Sequence, residues 1–95
     1  MIQSFRDRNT QRLFFGESVP AFQGFGRQAT NRLRYLRYLN RVESLQELYA
    51  RRGNRLETLS GDRIGQHSIR INRQWRICFR WEDDGPHDVE IVDYH

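Results

Sequence analysis

Asp93, Tyr94 and His95 place a carboxylate, a phenolic hydroxyl and an imidazole on consecutive residues, with the terminal carboxylate attached to His95 itself. Glu57 is a fourth group able to move protons. Such a set suits acid–base catalysis. On RNA it needs little help, because the ribose 2′-OH is the nucleophile and the catalyst need only transfer protons and neutralise charge on the phosphate. Arginine meets the second need, since its planar fork matches phosphate oxygens in pairs and never loses its charge. The 95-residue chain carries sixteen basic residues, all arginine, against twelve acidic ones, for a formal net charge of +4. Two causes can account for the missing lysine, a genome that favours arginine codons or a polyanionic partner, but codon usage leaves the net excess unexplained. Three polar residues closing a chain also describe a plain solvated end. Nucleophilic catalysis by the protein has weaker support, because lysine is absent and no serine has an evident base partner.

Several other classes fall away. No apolar run approaches the roughly 18 residues of a membrane span, and the first ten residues lack the apolar stretch of a secretory signal, so a cytoplasmic protein without membrane association is expected. One cysteine, Cys78, excludes an intrachain disulfide, and with only His67, His87 and His95 beside it no metal-ligand motif is present. The expectation is no metal and no cofactor. The glycine-rich phosphate-binding loops and the nucleophile-elbow motif are missing too.

The length fits one domain spanning residues 1–95. Residues 2–5 can form a short strand, and Asp7 can cap a helix over residues 8–15 that Gly16 stops. Residues 16–26 have the composition of a connection packing through Phe22 and Phe25. Over residues 27–42 the spacing is helical, with Ala29, Leu33, Leu36 and Leu39 on one arc and Arg27, Arg34, Arg37 and Arg41 on another. Ser44 and Glu47 have capping-box spacing for a short helix over residues 45–50.

The period then becomes two. Residues 56–59 read as a short strand, Ile69 and Ile71 alternate with polar residues, and so do Trp75, Ile77, Phe79 and Trp81, which places both tryptophans on the core face. Asn72 and Arg73 can make a two-residue hairpin turn with positive φ at Asn72. Residues 82–86 read as a turn and residues 88–94 as the last strand. The fold class is α+β, with N-terminal helices packed on one face of a twisted antiparallel sheet. The other face is then expected to stay open, displaying Arg70, Arg76 and Arg80 as a basic surface for a phosphodiester backbone. Cys78 on that face is either a thiol of lowered pKa or a small residue filling space. His67 and His87 read as surface or strand-edge residues, and Asp62 with Arg63 as a loop ion pair.

Residues 53–81 contain L-x-x-L-x-G-x-R-x-G, then S-I-x-x-N, then W-R-I, and the chain closes on D-Y-H. This set resembles the HigB-type toxins of the RelE/ParE toxin–antitoxin superfamily, in a GraT-like variant. The likeness spans the whole chain, strongly from residue 53 onward and loosely before it. The resemblance implies a ribosome-dependent mRNA interferase, an endoribonuclease that enters the A site of the 30S subunit and cleaves the message by 2′-OH attack on the adjacent phosphate. It implies a cognate helix-turn-helix antitoxin, HigA-like, through which alone the toxin would meet operator DNA, and it leaves the arginine arc of residues 27–42 as either a solvated stripe or a contact for ribosomal RNA.

Carried over by position, the family's active residues fall on Glu57, Ser60, Arg76, Asp93, Tyr94 and His95. Glu57 stands where the family has histidine, and Ser60 where it has lysine. A carboxylate among arginines is the weaker base, and serine removes a cation near the scissile phosphate. An active but attenuated enzyme is therefore expected, with Glu57, Arg76, Asp93, Tyr94 and His95 catalytic and Arg63, Arg70, Arg73, Gln74 and Arg80 binding RNA. Two other functions stay open, a non-enzymatic RNA- or ribosome-binding inhibitor of translation and a gyrase-inhibiting toxin of ParE type.

Overall fold

The computed structural model describes residues 1–22 and 27–93, residues 27–30 by their backbone alone. Phe25, Tyr94 and His95 thus lie outside the described residues. Three helices, α1 (Arg8–Phe14), α2 (Arg27–Arg41) and α3 (Leu45–Ala50), precede four strands, β1 (Glu57–Thr58), β2 (Gln66–Arg70), β3 (Trp75–Glu82) and β4 (Gly85–Asp93). The strands form one antiparallel sheet in chain order.

Local chemistry sets the helix starts. The Asp7 carboxylate accepts the Thr10 amide at 3.1 Å, and Ser44 Oγ accepts that of Glu47 at 3.3 Å, each satisfying a donor with no partner inside its helix. Leu36 and Leu39 of α2 then meet Ile69, Ile77, Phe79 and Ile91 of the sheet in one core, together with Leu13, Phe22 and Leu48. Trp75 and Trp81 pack against this core as partly buried residues, as their alternation predicts. Leu33 stays half-buried, and the core position beside it belongs to Arg32, which is 1% exposed. Its guanidinium lies 5.0 Å from the Trp75 ring and 5.9 Å from that of Phe22, and burial lowers its pKa. Among the described residues two of its nitrogens, Nε and Nη1, have no hydrogen-bond partner. The quadrupoles of the two rings offset part of the desolvation cost.

The expected strand at residues 2–5 is reduced to edge pairing. Gln3 and Arg6 donate to the carbonyls of Pro86 and Val89, and Val89 donates back to Ser4, so this segment runs parallel to β4 along its outer edge. The last turn is tighter than expected, with β4 beginning at Gly85 immediately after Asp83 and Asp84. Gly85 has φ +126°, and a Cβ there would sit 2.5 Å from the Met1 carbonyl, so both conformation and space call for glycine. Between Cys78 and Arg80 the register shifts where Asp88 adopts φ +53°. Its amide donates to Ser4 Oγ and its carboxylate accepts from Arg80 Nε, each at 2.8 Å, holding the left-handed turn.

The second sheet face departs most from expectation. Ser68 and Cys78 on it are fully buried, and Arg76 is only 7% exposed. The turn at Gly61–Arg63 reaches over this face, where Arg63 donates to Gln66 at 3.1 Å and to Glu90 at 2.9 Å. Glu90 also lies 3.8 Å from Arg6 of the N-terminal segment. Strand alternation reports which residues are polar, not whether another segment covers them.

Candidate active site on the polar face of the sheet

Cross-strand register builds the site. Glu57 of β1 lies opposite Ser68 of β2, and Arg70 lies opposite Arg76 of β3. Directly opposed residues share a sheet face, so these four side chains belong to one surface. The Arg76 guanidinium is fixed by neutral oxygens: Nε donates to Ser68 Oγ at 2.8 Å, and Nη2 donates to the Arg55 carbonyl at 2.6 Å and more weakly to that of Ser68 at 3.4 Å. Arg55 has φ +45°, left-handed for a non-glycine residue, in the turn leading to β1. The Nη1 edge faces the Glu57 carboxylate at 3.9 Å, and the Glu57 side chain is 55% exposed. A cation is thus clamped from behind and presents one edge beside an accessible carboxylate. Such an arrangement can neutralise a phosphate oxygen without reorganising, while the carboxylate can accept a proton.

Two features of the site come from residues whose role the sequence left unassigned. Ser68 of S-I-x-x-N holds Arg76. Asn72 of the same motif shapes the following turn through its side chain, accepting the amides of Gln74 at 2.8 Å and Trp75 at 2.9 Å. Neither Asn72 nor Arg73 has positive φ, so the expected two-residue turn is replaced by a wider one built on that side-chain carbonyl.

The remaining candidates are distributed unevenly. Arg70 donates to the Asn72 carbonyl at 3.1 Å while lying across from Arg76, which raises the positive potential on the clamp. Arg73 is exposed at the turn. Asp93 lies opposite Trp75 at the end of β4, and its carboxylate accepts from Gln74 Nε2 at 3.1 Å. By alternation Asp93 shares the helix-side face of Trp75, whereas Glu57 and Arg76 are on the other. Arg63 is drawn into the Gln66–Glu90 network, so the carboxylate it meets comes from β4, where a loop pair with Asp62 was expected. Ser60 is exposed at the entry to the Gly61–Arg63 turn and supplies no cation. Arg80 lies four residues beyond Arg76, about 13 Å along the strand. There it pairs with Asp88 and Glu82, each at 2.8 Å, and its hydrogen bond to Asp88 pushes its pKa up. The structure therefore unites Glu57, Arg70 and Arg76 and sets Arg80 apart.

The other titratable groups take no evident part. Burial raises the Cys78 pKa despite the nearby charges of Arg63 and Arg76, which makes the thiol space-filling. His67 is half-buried on inner strand β2, its ring 6.0 Å from that of Phe79, where burial lowers its pKa; it is neither a surface nor an edge residue. His87 meets Asp84 at 2.6 Å, and this hydrogen bond holds the Asp84 carboxyl below its ordinary pKa. Among the described residues no cluster of three or more histidine, cysteine or acidic side chains could hold a metal, and no helix is long and apolar enough to cross a membrane.

Known proteins resemble this chain in sequence and fold. The chain is 40% identical over 50 residues to Toxin HigB-1 of Vibrio cholerae serotype O1, a match covering 53% of each, so it spans about half the length of that curated relative. A solved structure, the YoeB-YefM complex from Staphylococcus aureus, contains a chain that superposes with a TM-score of 0.57 at 15% identity, covering 100% of this chain and 98% of that one, which shows a common fold. The family model described as RelE-like toxin of type II toxin-antitoxin system HigB matches residues 3–95. With that match over nearly its full length, the chain belongs to the HigB-like toxin family of the RelE/ParE superfamily.

Proposed function

We propose that this protein is a ribosome-dependent endoribonuclease that cleaves mRNA in the A site of the 30S subunit. The observation that carries this reading is the buried Arg76 clamp, whose Nη1 lies 3.9 Å from the accessible Glu57 carboxylate. Glu57 takes the proton of a ribose 2′-OH, and the 2′-oxygen attacks the adjacent phosphorus. The bond to the 5′-oxygen breaks, leaving a 2′,3′-cyclic phosphate. Arg76, with Arg70 beside it, neutralises the extra negative charge on the phosphate oxygens. His95 protonates the leaving 5′-oxygen, and Tyr94 and Asp93 orient it. Arg63, Arg73 and Gln74 are assigned to RNA contacts near this centre, and Arg80, farther along β3, to a more distant one. A helix-turn-helix antitoxin is the cognate partner and mediates any operator binding.

One feature favours a second reading. The Glu57 carboxylate already faces the Arg76 guanidinium at 3.9 Å, so it is placed as an ion-pair partner and need not act as a base. A non-enzymatic RNA-binding inhibitor of translation would show the same geometry. Expression in a translating extract, with primer extension on a reporter message, separates the two. Discrete ribosome-dependent cuts that vanish in Arg76→Ala support the enzyme. Stalled translation with intact message supports the binding inhibitor, and gyrase–DNA breaks would point to the ParE-type activity.

A further inference from the structure

On the helix side of the molecule α2 borders a groove of about 490 Å³ that the proposed cleavage chemistry does not use. Arg34, Arg37 and Arg41 line it from α2, and Arg51 closes it from the end of α3. All four are exposed. Among the described residues none has a carboxylate within ion-pair distance, whereas Arg6, Arg12, Arg63, Arg76 and Arg80 each have at least one. No acidic side chain lines the groove. Four uncompensated guanidiniums around one concavity repel one another and are best satisfied by a multivalent anion.

The geometry points to one kind of anion. We propose that this groove holds the phosphate backbone of a base-paired RNA segment, as a contact separate from the cleavage centre. Arg34, Arg37 and Arg41 recur at intervals of three and four residues, so they form one row about 10 Å long on the helix. One strand of a nucleic-acid duplex carries about three phosphates over that axial length. Tyr35 and Tyr38 add phenolic donors between the arginines. Tyr38 is held in place, its oxygen accepting from Asn54 Nδ2 at 2.9 Å and its ring covered by the Arg51 guanidinium at 4.8 Å. With that ring face occupied, the groove offers no pair of open aromatic faces between which a free nucleotide base could stack. Ile71 is its one aliphatic wall, too little apolar surface for the buried face of an amphipathic acidic helix. Ile71 directly follows Arg70, so the groove and the clamp meet at the β2–β3 turn from opposite sides of the sheet.

The test is direct binding without ribosomes or turnover, which keeps it independent of whether the protein cleaves RNA. Wild type and Arg34→Gln/Arg37→Gln/Arg41→Gln are titrated with a blunt RNA duplex of about a dozen base pairs and, separately, with a polyglutamate peptide, across a salt series. Each lost phosphate contact removes about 0.9 from the slope of log affinity against log salt, by the duplex-DNA relation. The triple variant should therefore flatten the duplex slope by two to three and lose at least about tenfold in affinity at low salt. An unchanged duplex affinity and slope overturn the proposal. So does selective loss of polyglutamate binding, which would assign the groove to an acidic protein segment. Should the triple variant fail to give the wild-type circular dichroism spectrum, Arg37→Gln alone is read the same way, with a flattening near one supporting the proposal and no change refuting it.

Discussion

Replacing Ser68 with alanine removes the hydroxyl that receives Arg76 Nε at 2.8 Å, in a position with no exposure to water. The guanidinium keeps its charge and, still linked to the Arg55 carbonyl, stays at a 7%-exposed site with one donor unsatisfied. Hydrogen bonds to charged groups contribute about 1.5–3 kcal/mol when their loss leaves a buried partner unpaired. Ser68→Ala should therefore destabilise the fold by about that amount, a sizeable part of the roughly 5–15 kcal/mol that stabilises a domain of this size. Urea unfolding followed by tryptophan fluorescence reads the change, with a urea m-value near 1–3 kcal/mol/M for small proteins. Arg76→Met in both backgrounds completes a double-mutant cycle. The cost of Ser68→Ala should shrink to about 0.5 kcal/mol or less once no guanidinium remains to be satisfied. A loss below about 0.5 kcal/mol in the wild-type background, or an equal loss with methionine at 76, would refute the clamp. RNA cleavage should fall in Ser68→Ala and return in part in Ser68→Thr, which keeps the hydroxyl, but not in Ser68→Val, which refills the volume without it.

Glu57→Gln should leave stability within about 0.5 kcal/mol, because the pair with Arg76 is long and the carboxylate half-exposed, yet lower cleavage by about 10² or more if Glu57 is the base. Primer-extension rates together with urea midpoints decide it. Asn72→Ala leaves two turn amides without their acceptor and should cost about 1–2 kcal/mol in urea unfolding, whereas Arg73→Ala in the same exposed turn should be close to neutral. The lowered pKa of His67 has a pH consequence: the unfolded chain takes up its proton near pH 6.5 while the native state resists. Stability from this residue is thus present above about pH 6.5 and lost as pH falls below it. His67→Phe should flatten the acid limb of the stability–pH profile, and an unchanged limb would show that the ring titrates normally.

Much of the fold can be read from the sequence because its signals are local. The Asp7 and Ser44 caps, the leucines of α2 and the alternation in β3 each act within a few residues, and the helices begin where those residues predict. What escapes is non-local. Nothing within a few residues of Arg76 reveals that the Gly61–Arg63 turn and the N-terminal segment cover its face and turn an expected display of arginines into a buried network. Arg32 escaped for a related reason. It stands one turn before Leu36 on the core arc, and counting it as polar hides a position that Phe22 and Trp75 render habitable. Of the site, the W-R-I arginine and Glu57 could be found from motif and register, while the function of Ser68 needed the third dimension.

The two edges of the sheet are unequal. Residues 3–6 line the outer edge of β4, and the opposite edge is β1, a strand of only two residues. Long unpaired edges are where a foreign strand can add and where sheets join end to end. Among the described residues β1 offers only a short template for either, which favours partners that engage helices, loops or side-chain surfaces. A short edge of this kind is also a general safeguard against edge-to-edge association of sheets.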